Sequence, residues 1–391
     1  MRLTLLATGI ISTLTLNASG FTSVLSEIER NNLELKALRG ENIAAITELK
    51  SGNNILGSSD IEFSPFFTKG VSGMASYELI VSQEIEFPTL LHERNRSSKA
   101  LSDVVEKKYA IERRETLFSA KTQLINLVYL TKQQSLLDAR LKNSRELLDF
   151  YKKKYDRGDA TIIELNNLKM DMMELNTEIA QNLGAIDETK AAIKALNGGI
   201  IPAIDSLDYP KLNPLPSLEA LKNELMAEDM TLQLADATVT ASQQELRISK
   251  RSWLPSITVG YRRNGDKYEP AINGMLIGLS FNLFGNGTKT KAVRQQLNAA
   301  ELSREAARAK AESDIETAYQ KIKTMYRTLE SYDMNLMSET LQLMGKAVGS
   351  GRMSLPDFCV EANGIYTRMA NYITLQNELQ LIEANLYKNR L

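Results

Sequence analysis

The chain has 391 residues, and its 47 Lys and Arg against 48 Asp and Glu give a formal net charge of −1 at neutral pH. This balance argues against a general nucleic-acid-binding protein, which would carry a basic excess on at least one face. The single Cys excludes a disulfide framework within the chain, and the single His disfavours a multi-histidine metal site or a histidine-dependent triad. We therefore predict no enzyme, no catalytic residue and no metal or other cofactor.

The N-terminus has the pattern of a secretory signal peptide over residues 1–20. One basic residue, Arg2, precedes an apolar run of roughly 14 residues that ends at Leu16, and small residues follow it. The alternative is an ordinary buried N-terminal helix. Beyond residue 20 no apolar run approaches the roughly 18 residues that a membrane-spanning helix needs. If the protein lies in a membrane, helices do not carry it across.

Long segments that are almost free of Gly and Pro predict coiled-coil helices. In the second half of the chain, apolar residues alternate at spacings of three and four, which is the seam of a coiled coil. This run consists of Ile315, Ala318, Ile322, Met325, Leu329, Tyr332 and Leu336. We predict two long helices over 94–155 and 289–348. Each is followed by another helix, over 161–197 and 354–389, and preceded by one over 21–52 and 217–251.

Four short segments alternate between apolar and polar residues, which indicates strands with two different environments. They cover 60–67, 75–87, 256–262 and 273–283. Odd-numbered positions are mostly apolar. If these face lipid, the even-numbered positions line a water-filled lumen. The candidate lumen residues are Glu62, Glu78, Glu84, Glu86, Arg262 and Asn282.

The order helix, strand, strand, long helix, helix occurs twice, so the sequence predicts an internal duplication. The first repeat covers 21–201 and the second 217–391, and a Pro-containing connector over 202–216 divides them. A helix of roughly 60 residues spans about 90 Å and cannot fold back into a compact domain, so the shorter helices must lie alongside it. Four strands cannot close a barrel, and open sheet edges are not tolerated in lipid. The strands therefore need other copies of the chain.

The turn after each long helix is the best local sign of the duplication. The first turn has a Gly, then a Thr three residues later, then an acid three residues after that; the second has Ser in place of Thr. The Gly turns the chain, the hydroxyl caps the next helix, and the acid can reach back to the backbone N–H of the cap. We therefore predict a capping box in both turns. The corresponding residues are Gly158, Thr161 and Glu164 in the first turn, and Gly351, Ser354 and Asp357 in the second.

These features together resemble the TolC-like outer-membrane efflux protein family. The resemblance rests on the signal sequence, the duplicated element order, the two Gly-x-x-[Ser/Thr]-x-x-[Asp/Glu] turns and Glu86-Phe87-Pro88 before the long helix. It covers essentially the whole mature chain, and its specificity lies in the architecture rather than in one motif. It implies a mainly α fold with a small β part, in which long helical hairpins form an α-barrel. Four strands from each of three chains would form a twelve-stranded transmembrane β-barrel.

The resemblance also implies a location and partners. The protein would be a homotrimer in lipid of the Gram-negative outer membrane, extending into the periplasm. It would act as a passive exit duct of a tripartite efflux or type I secretion system. Its partners would be a periplasmic adaptor protein and an inner-membrane pump of the RND or ABC type. Three copies of the lumen acids would give the pore a negative field that mildly favours cations.

Site residues follow from the family in the same way. The adaptor would dock on the helix-turn tips, here Arg157, Gly158, Asp159, Thr161, Gly349, Gly351, Arg352 and Ser354. Some relatives close the channel with rings of acidic residues, and Asp357 matches the first ring. Val360 stands where a second acid is found, and Glu361 is one step further, which rotates a helical side chain by about 100°. Asp357 and Glu361 are thus the candidate gate, and a plain helix-capping role is the alternative for Asp357. An Arg that locks the closed state in some relatives aligns with Met353, so that lock is not expected.

Two other protein classes remain open at this point. A periplasmic adaptor protein also has a signal peptide and a coiled-coil hairpin, but usually one hairpin flanked by β-rich domains. A soluble coiled-coil scaffold does not explain strands with two faces. The lumen acids do not decide whether the exported substrate is a drug, a metal ion or a polypeptide.

Overall fold

The computed structural model describes residues 20–52, 56–204, 207–212, 214–281 and 286–391. Residues 1–19 of the predicted signal peptide and the lumen candidate Asn282 lie outside the described residues. The described chain is mainly helical with four strands, as predicted. In chain order its elements are α1 (Gly20–Asn31), α2 (Leu33–Ser51), β1 (Leu56–Phe66), β2 (Ser76–Ile85), α3 (Pro88–Asp156), α4 (Ile162–Leu196), α5 (Leu218–Glu228), α6 (Met230–Arg251), β3 (Ser256–Asp266), β4 (Ile272–Ser280), α7 (Asn286–Glu330), α8 (Met334–Gly349) and α9 (Leu355–Leu386).

The four strands form one antiparallel sheet in the order β1-β2-β3-β4. Residues directly opposite each other on neighbouring strands lie on the same face of a sheet. Ile61 pairs with Val81, which pairs with Tyr261 and through it with Met275. From Ser59 onward every pair of β1 and β2 joins positions of equal parity, and so does every pair of β2 with β3 and of β3 with β4. All odd-numbered positions therefore share one face and all even-numbered positions share the other.

Several predicted helices are interrupted in the structure. The predicted helix over 289–348 ends as α7 at Glu330, and α8 begins at Met334, because the Asp333 carboxylate accepts the backbone N–H of Leu336 at 2.9 Å. The predicted helix over 217–251 divides in the same way at Asp229. An Asp side chain that binds the backbone N–H three residues later starts a new helix instead of continuing the old one. The first long helix is continuous and begins at Pro88, six residues before its predicted start.

The chain divides into two compact units, and the described residues of Met1–Leu33, Thr116–Leu215 and Gln320–Lys388 form unit 1. Its core is apolar and is contributed by α1, α3, α4 and α9. The largest fully buried side chains of this core are those of Ile28, Leu124, Ile125 and Ile193. Burying side chains of this size stabilises the fold by about 1.5–3 kcal/mol each. This core holds the helices of both predicted repeats in one unit.

The connector between the repeats packs on unit 1. The Lys132 ammonium lies 2.9 Å from the Asp208 carboxylate and 5.3 Å from the centre of the Tyr209 ring. Gln380 donates to the carbonyl oxygen of Pro210 at 3.0 Å. Burial raises the pKa of Tyr209 well above its usual value, since the phenol is held away from water. The connector is thus bound to α3 and α9 by specific polar contacts.

Unit 2 comprises the described residues of Glu34–Glu115, Pro216–Tyr319 and Asn389–Leu391. It contains the sheet and parts of the helices that adjoin it. Ion pairs join its helices: Lys222 of α5 lies 3.4 Å from Glu312 and 3.1 Å from Glu316 of α7. Each unit contains segments of both predicted repeats, because α3 and α7 each contribute to both units.

Candidate functional site

The first helix-turn tip lies between α3 and α4. Gly158 has a φ of +80°, which favours glycine, and the next residue, Asp159, donates its backbone N–H to the carbonyl oxygen of Lys154 at 2.8 Å. The Thr161 hydroxyl then accepts the backbone N–H of Glu164 at 3.2 Å, and the Glu164 carboxylate accepts the backbone N–H of Thr161 at 2.7 Å. The predicted capping box is confirmed in this turn. The hydrogen bonds from Thr161 lower the pKa of Glu164.

The second tip, between α8 and α9, repeats the turn but not the full box. Gly351 has a φ of +72°, and Arg352 donates its backbone N–H to the carbonyl oxygen of Ala347 at 2.9 Å. The Ser354 hydroxyl accepts the backbone N–H of Asp357 at 3.2 Å, while the Asp357 carboxylate binds that hydroxyl at 2.5 Å instead of the backbone N–H. Asp is one methylene shorter than Glu and does not reach the backbone of the cap. The prediction of a reciprocal box is therefore wrong for the second turn.

The two tips are brought together by a shared apolar cluster in unit 1. Tyr151, Leu168, Val348 and Leu355 are buried in it, one each from α3, α4, α8 and α9. Met353 packs against the same cluster, so the position that aligns with a locking Arg in relatives has an apolar packing role here. The predicted docking residues around it are exposed. These are Arg157, Gly158, Asp159, Thr161, Gly349, Gly351, Arg352 and Ser354.

The two gate candidates lie on one face of α9. Asp357 and Glu361 are both exposed and are four residues apart, which places them next to each other on a helix surface. Val360, between them in sequence, is 71% exposed. The Asp357 carboxylate also binds the Ser354 hydroxyl, so a capping contact and an exposed charge are present in the same side chain.

A polar cluster below the tips was not found from the sequence. Arg140 of α3 lies 3.2 Å from the Glu178 carboxylate of α4 and 3.4 Å from the amide oxygen of Asn363 on α9. Its guanidinium lies 5.5 Å from the centre of the Tyr366 ring, and Asn143 donates to the Tyr366 hydroxyl at 2.8 Å. Arg140 is 223 residues from Asn363, and no local pattern signals a contact at that separation. The cluster joins α3 of the first hairpin to α9 of the second.

A small cavity of about 270 Å³ adjoins this cluster, and Asp171 and Cys359 line part of it. Burial, and to a lesser extent the Asp171 carboxylate, raises the pKa of the Cys359 thiol to about 11. Burial also raises the pKa of Asp171, although the Arg140 charge opposes that shift. The thiol is therefore protonated at neutral pH and acts as a small apolar group.

The even-numbered face of the sheet carries four of the lumen candidates, Glu62, Glu78, Glu84 and Arg262. Glu86 follows the end of β2. Arg262 forms an ion pair with Glu78, and Arg94 lies 2.6 Å from the Glu86 carboxylate. Two of the four candidate acids are thus neutralised by an arginine, which weakens the negative field expected from the sequence.

The odd-numbered face of the sheet is apolar and exposed. Met275 is 87% exposed and Ile61 76% exposed, and further large apolar side chains on this face are exposed too. They include Phe63, Val81, Val259, Tyr261, Ile277 and Leu279. A contiguous exposed apolar surface of this size marks an interaction site with a membrane or another protein. Within the described residues β1 and β4 each pair with one strand only, so each leaves an edge free.

Other kinds of site are not seen in the described part of the chain. No three His, Cys, Asp or Glu side chains among these residues are placed to hold a metal ion. A separate finding concerns hydropathy: none of the described helices combines the length and apolar character needed to span a bilayer.

Comparisons with known proteins show what the second half of the chain resembles. The family model for outer membrane efflux proteins matches residues 221–389. Residues 221–389 are thus similar to the outer membrane efflux proteins, and the fold is TolC-like. No curated protein sequence is significantly similar to it.

Solved structures of the same fold cover nearly the whole chain. The outer-membrane channel OprN superposes with a TM-score of 0.81 at 13% identity, over 95% of this chain and 89% of its own. The outer membrane protein VceC of Vibrio cholerae gives 0.76 at 13% identity, over 94% of this chain and 95% of its own. The CmeC outer membrane channel of Campylobacter jejuni gives 0.77 at 13% identity, over 95% and 85%. At these identities the likeness establishes the fold.

Proposed function

We propose that this TolC-like protein is one protomer of a passive exit duct in the Gram-negative outer membrane. Three copies form the duct, an inner-membrane pump supplies the substrate and the energy, and a periplasmic adaptor protein joins the two. The chain itself performs no chemistry in this proposal. The match of residues 221–389 to the outer membrane efflux proteins supports it.

The sheet is the observation that carries the proposal. Its odd-numbered face is apolar and exposed, its even-numbered face is polar, and its two outer strands have free edges. An outer-membrane barrel needs an apolar exterior, a polar interior and no free edge. Sheets from three copies, joined edge to edge, meet all three needs. Glu62 and Glu84, which lack an arginine partner among the described residues, then contribute negative charge to the lumen wall.

The quaternary state tests this proposal directly. We expect the full-length protein to require detergent for extraction from outer membranes, to migrate as a trimer and to form conducting pores in planar bilayers. A soluble periplasmic monomer would overturn the proposal and favour the alternative, a periplasmic adaptor. Two helical hairpins, α3–α4 and α8–α9, already disfavour that alternative, since adaptors usually carry one.

The candidate gate is tested by a charge-neutralising substitution. Asp357→Asn keeps an oxygen that can accept the Ser354 hydroxyl, so it removes the charge while sparing the helix cap. If the exposed carboxylates of three protomers gate the pore, the substitution should raise leak through the closed channel. Unchanged single-channel conductance together with unchanged drug sensitivity would leave Asp357 with its capping role alone.

The docking tips are tested by crosslinking in cells. Asp159→Cys and Arg352→Cys place a reactive thiol on each exposed tip, and Lys190→Cys places one on an exposed site of α4 away from the tips. We expect the first two variants to crosslink to the co-expressed adaptor and the third not to do so. Equal crosslinking from all three positions would contradict the proposal that the adaptor docks on the tips.

A further inference from the structure

A basic pocket lies where the helices of unit 2 meet the sheet. It is formed by the end of α6, the turn before β3 and the first turns of α7, and its volume is about 390 Å³. Lys250, Lys291 and Arg294 line it together with Trp253, which is 61% exposed. At its back the hydroxyls of Ser249 and Thr290 lie 3.0 Å apart. We call this the Trp253 pocket.

Among the described residues, the three cations of the Trp253 pocket have no counter-charge. No Asp or Glu lines the pocket, and no described residue forms an ion pair with Lys250, Lys291 or Arg294. Two cations of unit 2 show the contrast: Lys222 contacts two glutamates, and so does Arg390. Three like charges that converge on one pocket repel one another, and an anion from outside the chain relieves that repulsion.

The surroundings of the pocket indicate what that anion is. Ser256 and Ser280 pair at the end of the β3–β4 ladder, next to the pocket. Leu279 and Phe281, at the same end of the sheet, are 60% and 51% exposed. The pocket therefore lies where the exposed apolar surface stops and the charged helices begin. Trp and basic side chains at such a border sit at the level of lipid headgroups.

The first repeat has a related pocket in the corresponding place. It is formed by the end of α2 and the first turns of α3, with Lys50, Arg96 and Lys99 as its cations and a volume of about 720 Å³. We call it the Lys50 pocket. Unlike the Trp253 pocket it also contains two carboxylates, those of Asp103 and Glu106, which offset part of its charge. Its attraction for an anion is therefore weaker.

We propose that the Trp253 pocket binds the phosphodiester headgroup of an anionic phospholipid from the membrane leaflet that faces the helices, and that the Lys50 pocket binds one less tightly. The proposal rests on the outer-membrane location given under the proposed function. The Lys and Arg side chains bind the phosphate, and Trp253 packs at the boundary between the headgroup and the acyl chains.

Native mass spectrometry of the purified, detergent-solubilised full-length trimer tests this proposal, with phosphatidylglycerol as the probe. Each cation near an anionic lipid surface contributes roughly a five-fold gain in binding, so Lys250→Gln/Arg294→Gln should weaken binding on the order of 25-fold. Lys50→Gln/Arg96→Gln should weaken it less. Lys310→Gln, an exposed lysine further along α7, is the matched control and should bind like the wild type.

Competing probes separate the lipid from other anions. Excess inorganic phosphate should leave the bound phosphatidylglycerol in place, and phosphatidylcholine should bind weakly and equally to all variants. Equal binding of phosphatidylglycerol to the wild type and the Lys250/Arg294 variant would overturn the proposal, as would displacement by free phosphate. Bilayer conductance is measured on the same samples. If the trimers conduct and the Lys250/Arg294 variant binds phosphatidylglycerol as well as the wild type, only the lipid site is refuted. If the protein does not form conducting trimers, the proposed function is refuted.

Discussion

Removal of the Arg140 side chain should shift the proposed channel toward its open state. Of the contacts that Arg140 makes, those with Asn363 and Tyr366 join the first hairpin to the second, whereas Glu178 belongs to the same hairpin as Arg140. The bond to Asn363 is long at 3.4 Å and contributes little, and the guanidinium–ring contact contributes about 0.5–1 kcal/mol at a partly exposed site. Arg140→Ala therefore removes about 1 kcal/mol of contact between the hairpins in each protomer.

The effect is multiplied by the proposed symmetry. If three protomers open together, about 3 kcal/mol is lost from the closed state, which raises the ratio of open to closed channels roughly 150-fold. Single-channel recording in planar bilayers measures this ratio. Glu178→Gln is the matched control, since it weakens a contact within the first hairpin and spares both contacts between the hairpins.

Two results would refute this reasoning. One is an open probability for Arg140→Ala that stays within about two-fold of the wild type, given the energies above. The other is an equal effect of Arg140→Ala and Glu178→Gln, which would place the energy inside the first hairpin. Arg145→Ala is the control for the loss of a positive charge by itself. Arg145 is an exposed residue of α3, and its substitution should leave the open probability unchanged.

Three further predictions concern the tips and Cys359. Thr161→Ala should destabilise the start of α4 by about 1–2 kcal/mol, whereas Thr161→Ser should be close to the wild type. The pKa of Glu164 is lowered in the folded protein, so the stabilisation that its carboxylate gives to the cap is present at neutral pH and is lost as the pH falls through that lowered pKa. Hydrogen exchange in α4 measures both effects, and equal exchange in the Ala and Ser variants would contradict the cap. Gly351→Ala should destabilise the protein by about 1–2 kcal/mol, because Gly351 has a positive φ. Gly345→Ala in α8 should instead stabilise it by about 0.5–1 kcal/mol, because there is open space at its Cβ position. Thermal unfolding distinguishes the destabilising substitution from the stabilising one. The pKa of the Cys359 thiol is raised from 9.0 to about 11, so at pH 8 this thiol should be alkylated on the order of 100-fold more slowly than that of an unstructured cysteine. An alkylation rate equal to that of a free thiol would show that the Cys359 thiol is not buried.

Strand patterning was predictable from the sequence because it depends on a period of two. The alternation along each segment predicts which of its residues share a face of the strand. In the antiparallel sheet, from Ser59 onward, odd-numbered residues pair with odd-numbered ones and even with even, so the faces of neighbouring strands match. The apolar and polar faces were therefore predicted correctly before any pairing was known. The partners across the strands were not, because register depends on the whole sheet. The ion pair of Arg262 with Glu78 appears only once β2 and β3 are paired.

The capping turns separate local from non-local information in the same way. Gly158 and Gly351 at equivalent places predicted two turns, and both have the expected positive φ. The difference between the turns follows from the length of one side chain, Glu164 against Asp357, and could have been predicted from the sequence. The breaks at Asp229 and Asp333 were missed because an Asp within a helical pattern caps a new helix only where the surrounding packing permits the chain to bend.

The sequence by itself determined the element types, the two faces of the strands and the duplicated turns, because each depends on residues at most a few positions apart. Tertiary structure alone decided that Arg140 meets Asn363 and Tyr366, that an arginine pairs with each of two predicted lumen acids, and that three unpaired cations gather beside Trp253. Those contacts join residues that are distant in the chain. Their existence depends on how helices and strands pack, and no local period encodes it.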